Sequence, residues 1–201
     1  MASIHPIRPE PSRLHDRAAD NLRFIRETMG KAASFTAVPG GALAFWGLSV
    51  PVAAYIASLQ PTHLAWLGVW LAEALCSCVV LSGAMVHKAR HAGQPLSSGP
   101  GRKFVQGVVP PFLAAAVLTV ALARLGAYAM MPGVWLMLYG AGVVAGGANS
   151  VRSVPVMGMG FMALGAVALA TPPAWGDFWM AMGFGALQAA FGMVIARKHG
   201  G

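Results

Sequence analysis

Residues 35–59 form a continuous apolar stretch without one charged side chain, and five further apolar stretches follow along the chain. A helix that crosses a bilayer needs about 20 predominantly apolar residues. Because the bilayer core offers no water to the backbone, such a segment must satisfy its polar groups internally, as a helix does. We therefore predict six transmembrane helices, at residues 35–59, 63–86, 108–128, 132–149, 154–170 and 178–196.

The composition fits a membrane protein, with 57% hydrophobic and only 10% charged residues. A soluble domain carries about 25% charged residues. The net charge of +8 comes from short basic stretches between the apolar segments, so we expect a lipid bilayer and no nucleic acid as partner. Cys76 and Cys78 lie inside an apolar stretch and predict no disulfide framework.

The N-terminal segment, residues 1–33, lacks an apolar run of signal-peptide length and is predicted to be retained. Its apolar side chains recur at helical spacing, at Leu14, Ala18, Leu22, Ile25 and Met29. This pattern predicts an amphipathic helix lying on the cytoplasmic membrane surface. A solvated basic arm and a helix docked on a partner protein are the alternatives. Residues 34–201 are predicted to form one six-helix domain with a polar loop at 87–103.

The distribution of basic residues predicts the orientation of the chain. Of the 14 Lys and Arg residues, all except Arg124 lie before the first span, after the sixth, or in the connections after the second and fourth. Cytoplasmic loops carry the excess of Lys and Arg in membrane proteins. Both termini are therefore predicted to be cytoplasmic.

Glu73 is the acidic residue predicted to lie deepest in the bilayer. It follows His63 by ten residues, which is about 15 Å along a helix. An ionisable group at this depth costs at least ~2.5 kcal/mol unless it faces protein or water. We therefore treat Glu73 as a candidate site for ion or solute transport. The alternatives are a neutral carboxyl bonded to a neighbouring helix and an ion pair with Arg124.

A glycine-rich stretch joins the predicted fourth and fifth spans, within Tyr139 to Gly158. Gly142 and Gly146 form a GxxxG pattern, which permits close helix packing. The alternative is a helix break at Gly146 and Gly147 that presents a polar cluster to a solute. The cluster comprises Asn149, Ser150 and Arg152, and a second small-residue stripe in the sixth span comprises Gly185, Ala189 and Gly192.

Prolines mark three positions in the predicted spans. Pro51 is expected to kink the first span, because it cannot donate to the carbonyl of Gly47. Pro110 and Pro111 are expected in the first turn of the third span, where no internal donor is needed. A possible inverted repeat of three plus three spans rests on Val38-Pro39-Gly40 and Met131-Pro132-Gly133, which are 93 residues apart.

Sequence motifs for catalysis and metal binding are absent. There is no GxSxG, Walker loop, HExxH or Cys/His cluster with metal spacing. His87 and His91 share a helical face but lack a third ligand nearby. We predict no catalytic residue, metal or cofactor, and a membrane enzyme is the least supported class.

Several segments resemble a family of uncharacterised bacterial multi-pass membrane proteins. They are residues 22–29, 34–40, 100–104, 143–158 and 195–201. The resemblance implies a six-helix protein of the bacterial inner membrane and transfers no functional residue. Two functions remain as hypotheses: a small-solute or ion transporter or channel that uses Glu73, or a structural, scaffold or sensor subunit of a larger membrane complex. The predicted protein partner is a second copy of the chain or another membrane subunit.

Overall fold

A computed structural model describes residues 17–25, 29, 37–91, 97, 99–148 and 150–199, and among these there is no β-strand. The chain divides into two units, Met1–Ala33 and Ser34–Gly201. In the first unit residues 17–25 are helical, and their side chains are exposed. Leu22 and Ile25 of the predicted apolar stripe are among them, whereas Leu14 lies outside the described residues.

The described residues of the second unit contain six helical segments that are long and apolar enough to cross a membrane, which confirms the predicted all-α class and the number of spans. They are Gly40–Ser58, His63–His91, Gly99–Arg124, Tyr128–Gly147, Ser153–Ala170 and Pro173–Lys198, and we call them the first to sixth spans. We call the end of the bundle with Lys88, Arg102 and Arg152 the basic end. The opposite end, with Trp66 and Trp175, is the aromatic end.

The first span is interrupted, as Pro51 predicts. It consists of two helices, Gly40–Gly47 and Val50–Ser58. Since proline has no N–H group, the hydrogen bond from residue 51 to the carbonyl of Gly47 cannot form. The interruption places Ser49 in a turn inside the span, and its side chain lies within hydrogen-bond distance of Glu73 in the second span.

The predicted bounds of the loop at 87–103 are wrong. The second span remains helical to His91, and the third begins at Gly99, not at 108. Pro110 and Pro111 therefore lie inside a helix and not in its first turn. Hydropathy marks the limits of apolar sequence, whereas helical hydrogen bonding continues into the polar residues beyond it. Membrane helices also tolerate internal proline.

Glycines and alanines bring the first and sixth spans into close contact. A Cβ atom on Gly40 or Gly47 would overlap the sixth-span backbone, at Gly192 and Gly185 respectively. Because the start of one span meets the end of the other, the two run antiparallel. We call this contact the first seam.

The fourth and fifth spans form a second seam of the same kind. A Cβ on Gly133 would lie 3.0 Å from the carbonyl oxygen of Gly165, and one on Gly140 would lie 2.6 Å from that of Gly158. In an inverted repeat of three plus three spans, the fourth span corresponds to the first, and the third corresponds to the sixth. Gly133 and Gly140 would then pack against the third span, as Gly40 and Gly47 pack against the sixth. The fourth span instead uses them against the fifth, so the glycines aligned at an offset of 93 are not equivalent in packing.

The sixth span contains a wide helical turn. Its α-helical parts, Gly176–Met180 and Gln188–His199, are separated by a π-helix at Ala181–Leu187. Gly183 lies in this segment, where a Cβ atom would overlap the side chain of Leu136. π-Helical turns occur frequently at functional sites, and the next residue, Gln188, lines the cavity described below.

Candidate functional site

A cavity of about 590 Å³ lies inside the bundle, and residues of all six spans line it. This is within the range of roughly 300–1,000 Å³ that is usual for small-molecule sites. The second and third spans contribute most of the lining but are not one of the main packed helix pairs. Several lining residues on these two spans, including Leu71, Cys78 and Val109, are also exposed. The cavity therefore opens sideways between the second and third spans.

Glu73 lines this cavity and is half-buried. Among the described lining residues it is the only Asp, Glu, Lys, Arg or His. Ser49, in the interruption of the first span, lies with its Oγ 2.8 Å from Glu73 Oε1. The same Oγ lies 2.7 Å from the carbonyl oxygen of Trp46. The break near Pro51 thus supplies the direct polar contact of Glu73.

The Ser49 hydroxyl has one proton and two acceptors within reach, so it can donate to only one of them at a time. If Glu73 is protonated, its own O–H donates to Ser49 Oγ while Ser49 donates to Trp46. If Glu73 is ionised, Ser49 donates to the carboxylate. The Ser49 hydroxyl therefore has an acceptor within reach in either arrangement.

Most other polar atoms on the cavity wall have partners within the protein. Thr119 Oγ1 donates to the carbonyl oxygen of Ala115 at 2.7 Å and accepts a hydrogen bond from Trp135 Nε1 at 2.7 Å. The Tyr139 hydroxyl donates to Gln188 Oε1 at 3.2 Å. Sequence reasoning missed Thr119 and Gln188, which are the buried polar side chains of the described part of the chain. In the sequence, each of them is marked only by being an uncharged polar residue within an otherwise apolar span.

Trp46 carries a donor without a partner. Its Nε1 is buried and has no hydrogen-bond acceptor among the residues that the structure describes. A buried donor left unsatisfied costs about 1–3 kcal/mol. Because Trp46 also lines the cavity, the unpaired N–H belongs to the same region as Glu73 and Ser49.

A tryptophan cluster occupies the aromatic end of the cavity. Asp177 Oδ1 accepts hydrogen bonds from Trp66 Nε1 at 2.8 Å and Trp70 Nε1 at 3.0 Å. Trp66 stacks on Trp135 with 5.7 Å between ring centroids. These contacts join the second span to the fourth and sixth. Asp177 was not among the predicted site residues, because the sequence places it only in a connection. It also lines a separate cavity of about 440 Å³ at this end.

The predicted polar cluster does not join Glu73. Asn149 lies outside the described residues, Ser150 is half-buried, and Arg152 is exposed. Neither Ser150 nor Arg152 lines the cavity. The fourth-span helix ends at Gly147, and Cβ atoms on Gly146 and Gly147 would overlap the side chains of Val108 and Val154. Both glycines are therefore close-packed, and a break that presents Asn149 to a solute stays a prediction. Arg124 is also exposed and does not line the cavity.

The predicted packing residues all contact neighbouring spans within the chain. Gly142 lies beside Phe112 of the third span, and Gly146 lies beside Val108. In the sixth span, Gly185, Ala189 and Gly192 face the first span at Gly47 and Ala44. These small-residue surfaces of the fourth and sixth spans are therefore already covered by the third and first spans of the same chain.

The described residues contain no group of three or more His, Cys, Asp or Glu side chains that could hold a metal ion. His87 and His91 have ring centroids 4.4 Å apart, but two imidazoles alone do not complete a site.

No protein-family model matches the chain, and no curated protein or solved structure gives a significant match. The likeness to a bacterial membrane family therefore stays a prediction.

Proposed function

We propose that this protein is a small-solute transporter of a bacterial inner membrane, with Glu73 as the charged contact of the solute. One observation carries the proposal: Glu73 is the sole Asp, Glu, Lys, Arg or His among the described residues lining a cavity that all six spans share. Intramembrane acidic residues that face a cavity commonly mark substrate or ion pathways.

The packing of the bundle supports movement around this cavity. The two seams bring backbones together and resist separation, whereas the second and third spans surround the cavity with little contact between themselves. The third span is held against the fourth, where a Cβ atom on Gly107 would lie 2.5 Å from the backbone nitrogen of Gly146. A shift of the second span would therefore change access to Glu73 without breaking a close glycine contact. Transport between two sides of a membrane requires such alternating access.

The proposed orientation has both termini in the cytoplasm, because the basic end of the bundle carries nearly all Lys and Arg residues of the spans and their connections. Residues 1–33 are proposed to lie on that membrane surface.

The alternative function, a scaffold or sensor subunit, has less support. Its predicted partner surfaces were the small-residue faces of the fourth and sixth spans, and these are occupied by the third and first spans. A partner helix or a second copy of the chain would have to use another surface, such as the exposed side of the second and third spans.

The proposal is tested with purified protein in liposomes on a solid-supported membrane. Transport currents are recorded for protons, sodium, potassium, ammonium and a series of organic amines. We expect at least one solute to give a current that falls by about tenfold or more in Glu73→Gln, which keeps the side-chain shape but removes the charge.

Asp177→Asn is the matched control, since it removes an acidic charge outside the main cavity and leaves Oδ1 as an acceptor. It should retain the current. Size-exclusion chromatography verifies that both variants are folded. If folded Glu73→Gln carries the same currents as the wild type, or if no solute gives a current, the transport proposal is wrong.

A further inference from the structure

We infer that the solute is a lipophilic organic cation with one positive charge, which reaches Glu73 from the bilayer between the second and third spans. This inference rests on the proposed transport function and specifies the substrate class of the same cavity.

The charge of the solute follows from the lining. No Lys, Arg or His among the described residues faces the cavity to neutralise Glu73. An isolated carboxylate in an apolar site is costly, so it is either protonated or paired with a cation. Beside a protonated Glu73, the Ser49 hydroxyl can donate to the carbonyl oxygen of Trp46. Beside an ionised Glu73, it can donate to the carboxylate. A bound cation would therefore pair with the Glu73 carboxylate while Ser49 keeps a hydrogen-bond acceptor.

The hydrogen bonds inside the protein argue against hydrophilic solutes. A sugar, amino acid or nucleotide needs several polar and charged contacts, but Thr119, Tyr139 and Gln188 Oε1 already bond within the protein. Beside Glu73, the wall adds the small hydroxyls of Ser77 and Ser82. A bare inorganic cation needs about six oxygen ligands if it is divalent, and no cluster of three acidic, His or Cys ligands occurs in the described residues. A bulky apolar cation requires only one charged contact and a fitting apolar wall.

Aromatic rings provide further attraction for a cation. Trp70 precedes Glu73 by three residues, so both lie on the same face of the second span. Trp46, Trp135 and Tyr139 also line the cavity. The faces of indole and phenol rings attract ammonium and related cations.

The two cysteines of the chain define the proposed route. Cys78 is exposed and lines the cavity, whereas Cys76 is exposed and does not. They are two residues apart on the same helix, which separates their directions by about 200°. A large side chain at 78 should obstruct the route, and the same side chain at 76 should face away from it.

The test measures binding of radiolabelled tetraphenylphosphonium to purified full-length protein by equilibrium dialysis. Tetraphenylborate, which has the same shape and a negative charge, serves as the competitor of opposite charge. We expect saturable binding of tetraphenylphosphonium that falls at least about tenfold in Glu73→Gln. Unlabelled tetraphenylphosphonium should compete at least about tenfold better than tetraphenylborate at equal free concentration.

The cysteine positions locate the binding. Cys78→Trp should weaken tetraphenylphosphonium binding by about tenfold, whereas Cys76→Trp should change it by less than about twofold. The reverse result, or equal effects of both substitutions, places the ligand elsewhere and overturns the route.

The remaining outcomes separate this inference from the proposed function. Equal competition by tetraphenylborate overturns the cation class, even if the cavity binds apolar molecules. Absence of tetraphenylphosphonium binding, together with Glu73-dependent currents of another solute, overturns the inference and leaves transport standing. If neither binding nor a Glu73-dependent current is found, both proposals are wrong.

Discussion

The two glycine seams and the pair formed by the second and third spans show opposite ways of arranging apolar helices. In the seams, glycines allow backbone atoms of neighbouring spans to touch. In the second span, by contrast, a Cβ atom on Gly68 or Gly83 would meet nothing within 4 Å. Similar hydropathy therefore produces a close-packed contact in one region and a cavity wall in the other.

The difference has a physical cause in the bilayer. Lipid tails are as apolar as the helices, so hydrophobicity does not drive two spans together, and association depends on close packing and hydrogen bonds. The seams have the small residues for such packing. The third span has such a contact with the fourth, at Gly107. The second and third spans are not a main packed pair with each other, and they enclose space between themselves and the rest of the bundle.

The largest expected difference between the two regions concerns leucine truncation. Leu136 is fully buried beneath the π-helix, whereas Leu71 lies on the cavity wall and is 48% exposed. We expect Leu136→Ala to reduce the free energy of unfolding by about 2–5 kcal/mol. Leu71→Ala leaves no enclosed void and should cost less than about 1 kcal/mol. Denaturant unfolding in detergent measures both, and equal losses would contradict the distinction between the packed interior of the bundle and the cavity wall.

A smaller effect is expected from adding one methyl group to the first seam. A Cβ on Gly192 would lie 2.5 Å from the backbone nitrogen of Ala44, so Gly192→Ala forces the spans apart and should cost about 2 kcal/mol. Gly68→Ala is the matched control. It meets no neighbour and should be neutral or stabilising by up to about 1 kcal/mol, because alanine favours helix. Thermal unfolding should show a lower midpoint temperature for Gly192→Ala and an unchanged or higher one for Gly68→Ala. Equal midpoint temperatures for Gly192→Ala and the wild type would refute the seam.

The smallest effect concerns the link between the loosely packed second span and the sixth. Asp177→Ala removes the acceptor of two indole N–H groups and should destabilise the protein by about 1 kcal/mol. Asp177→Asn keeps an oxygen acceptor and should stay within about 0.5 kcal/mol of the wild type. Tryptophan emission during unfolding reports on both. A loss in Asp177→Asn as large as in Asp177→Ala would show that charge, not hydrogen bonding, matters here.

The sequence predicts the spans well, because bilayer thickness imposes a length and an apolar composition that can be read from one chain. It also identifies Glu73 and Pro51, but as separate features. That the break near Pro51 presents Ser49 to Glu73 depends on the rotation of two helices about their axes, which hydropathy does not determine. Gln188 and Thr119 escaped prediction for a related reason: an uncharged polar residue barely changes the apolar character of a span.

The predicted cluster at Asn149, Ser150 and Arg152 shows the opposite limit. Polar residues next to glycines suggested a solute site, yet Ser150 and Arg152 lie apart from the cavity. Polar residues in a tight connection between spans are expected wherever a chain leaves the bilayer, so their position alone does not distinguish a binding site from a turn.

The π-helix of the sixth span determines how this segment responds to a change of length. Residues 181–187 form wide turns between two α-helical parts, so each residue there turns the chain by less than the about 100° of an α-helix. Deleting one residue from this stretch would favour an ordinary α-helix that turns through nearly the same total angle, so Gln188 and Gly192 would keep facing the cavity and the first seam. A deletion in the α-helical part Gln188–His199 has no such reserve and would rotate every residue beyond it by about 100°.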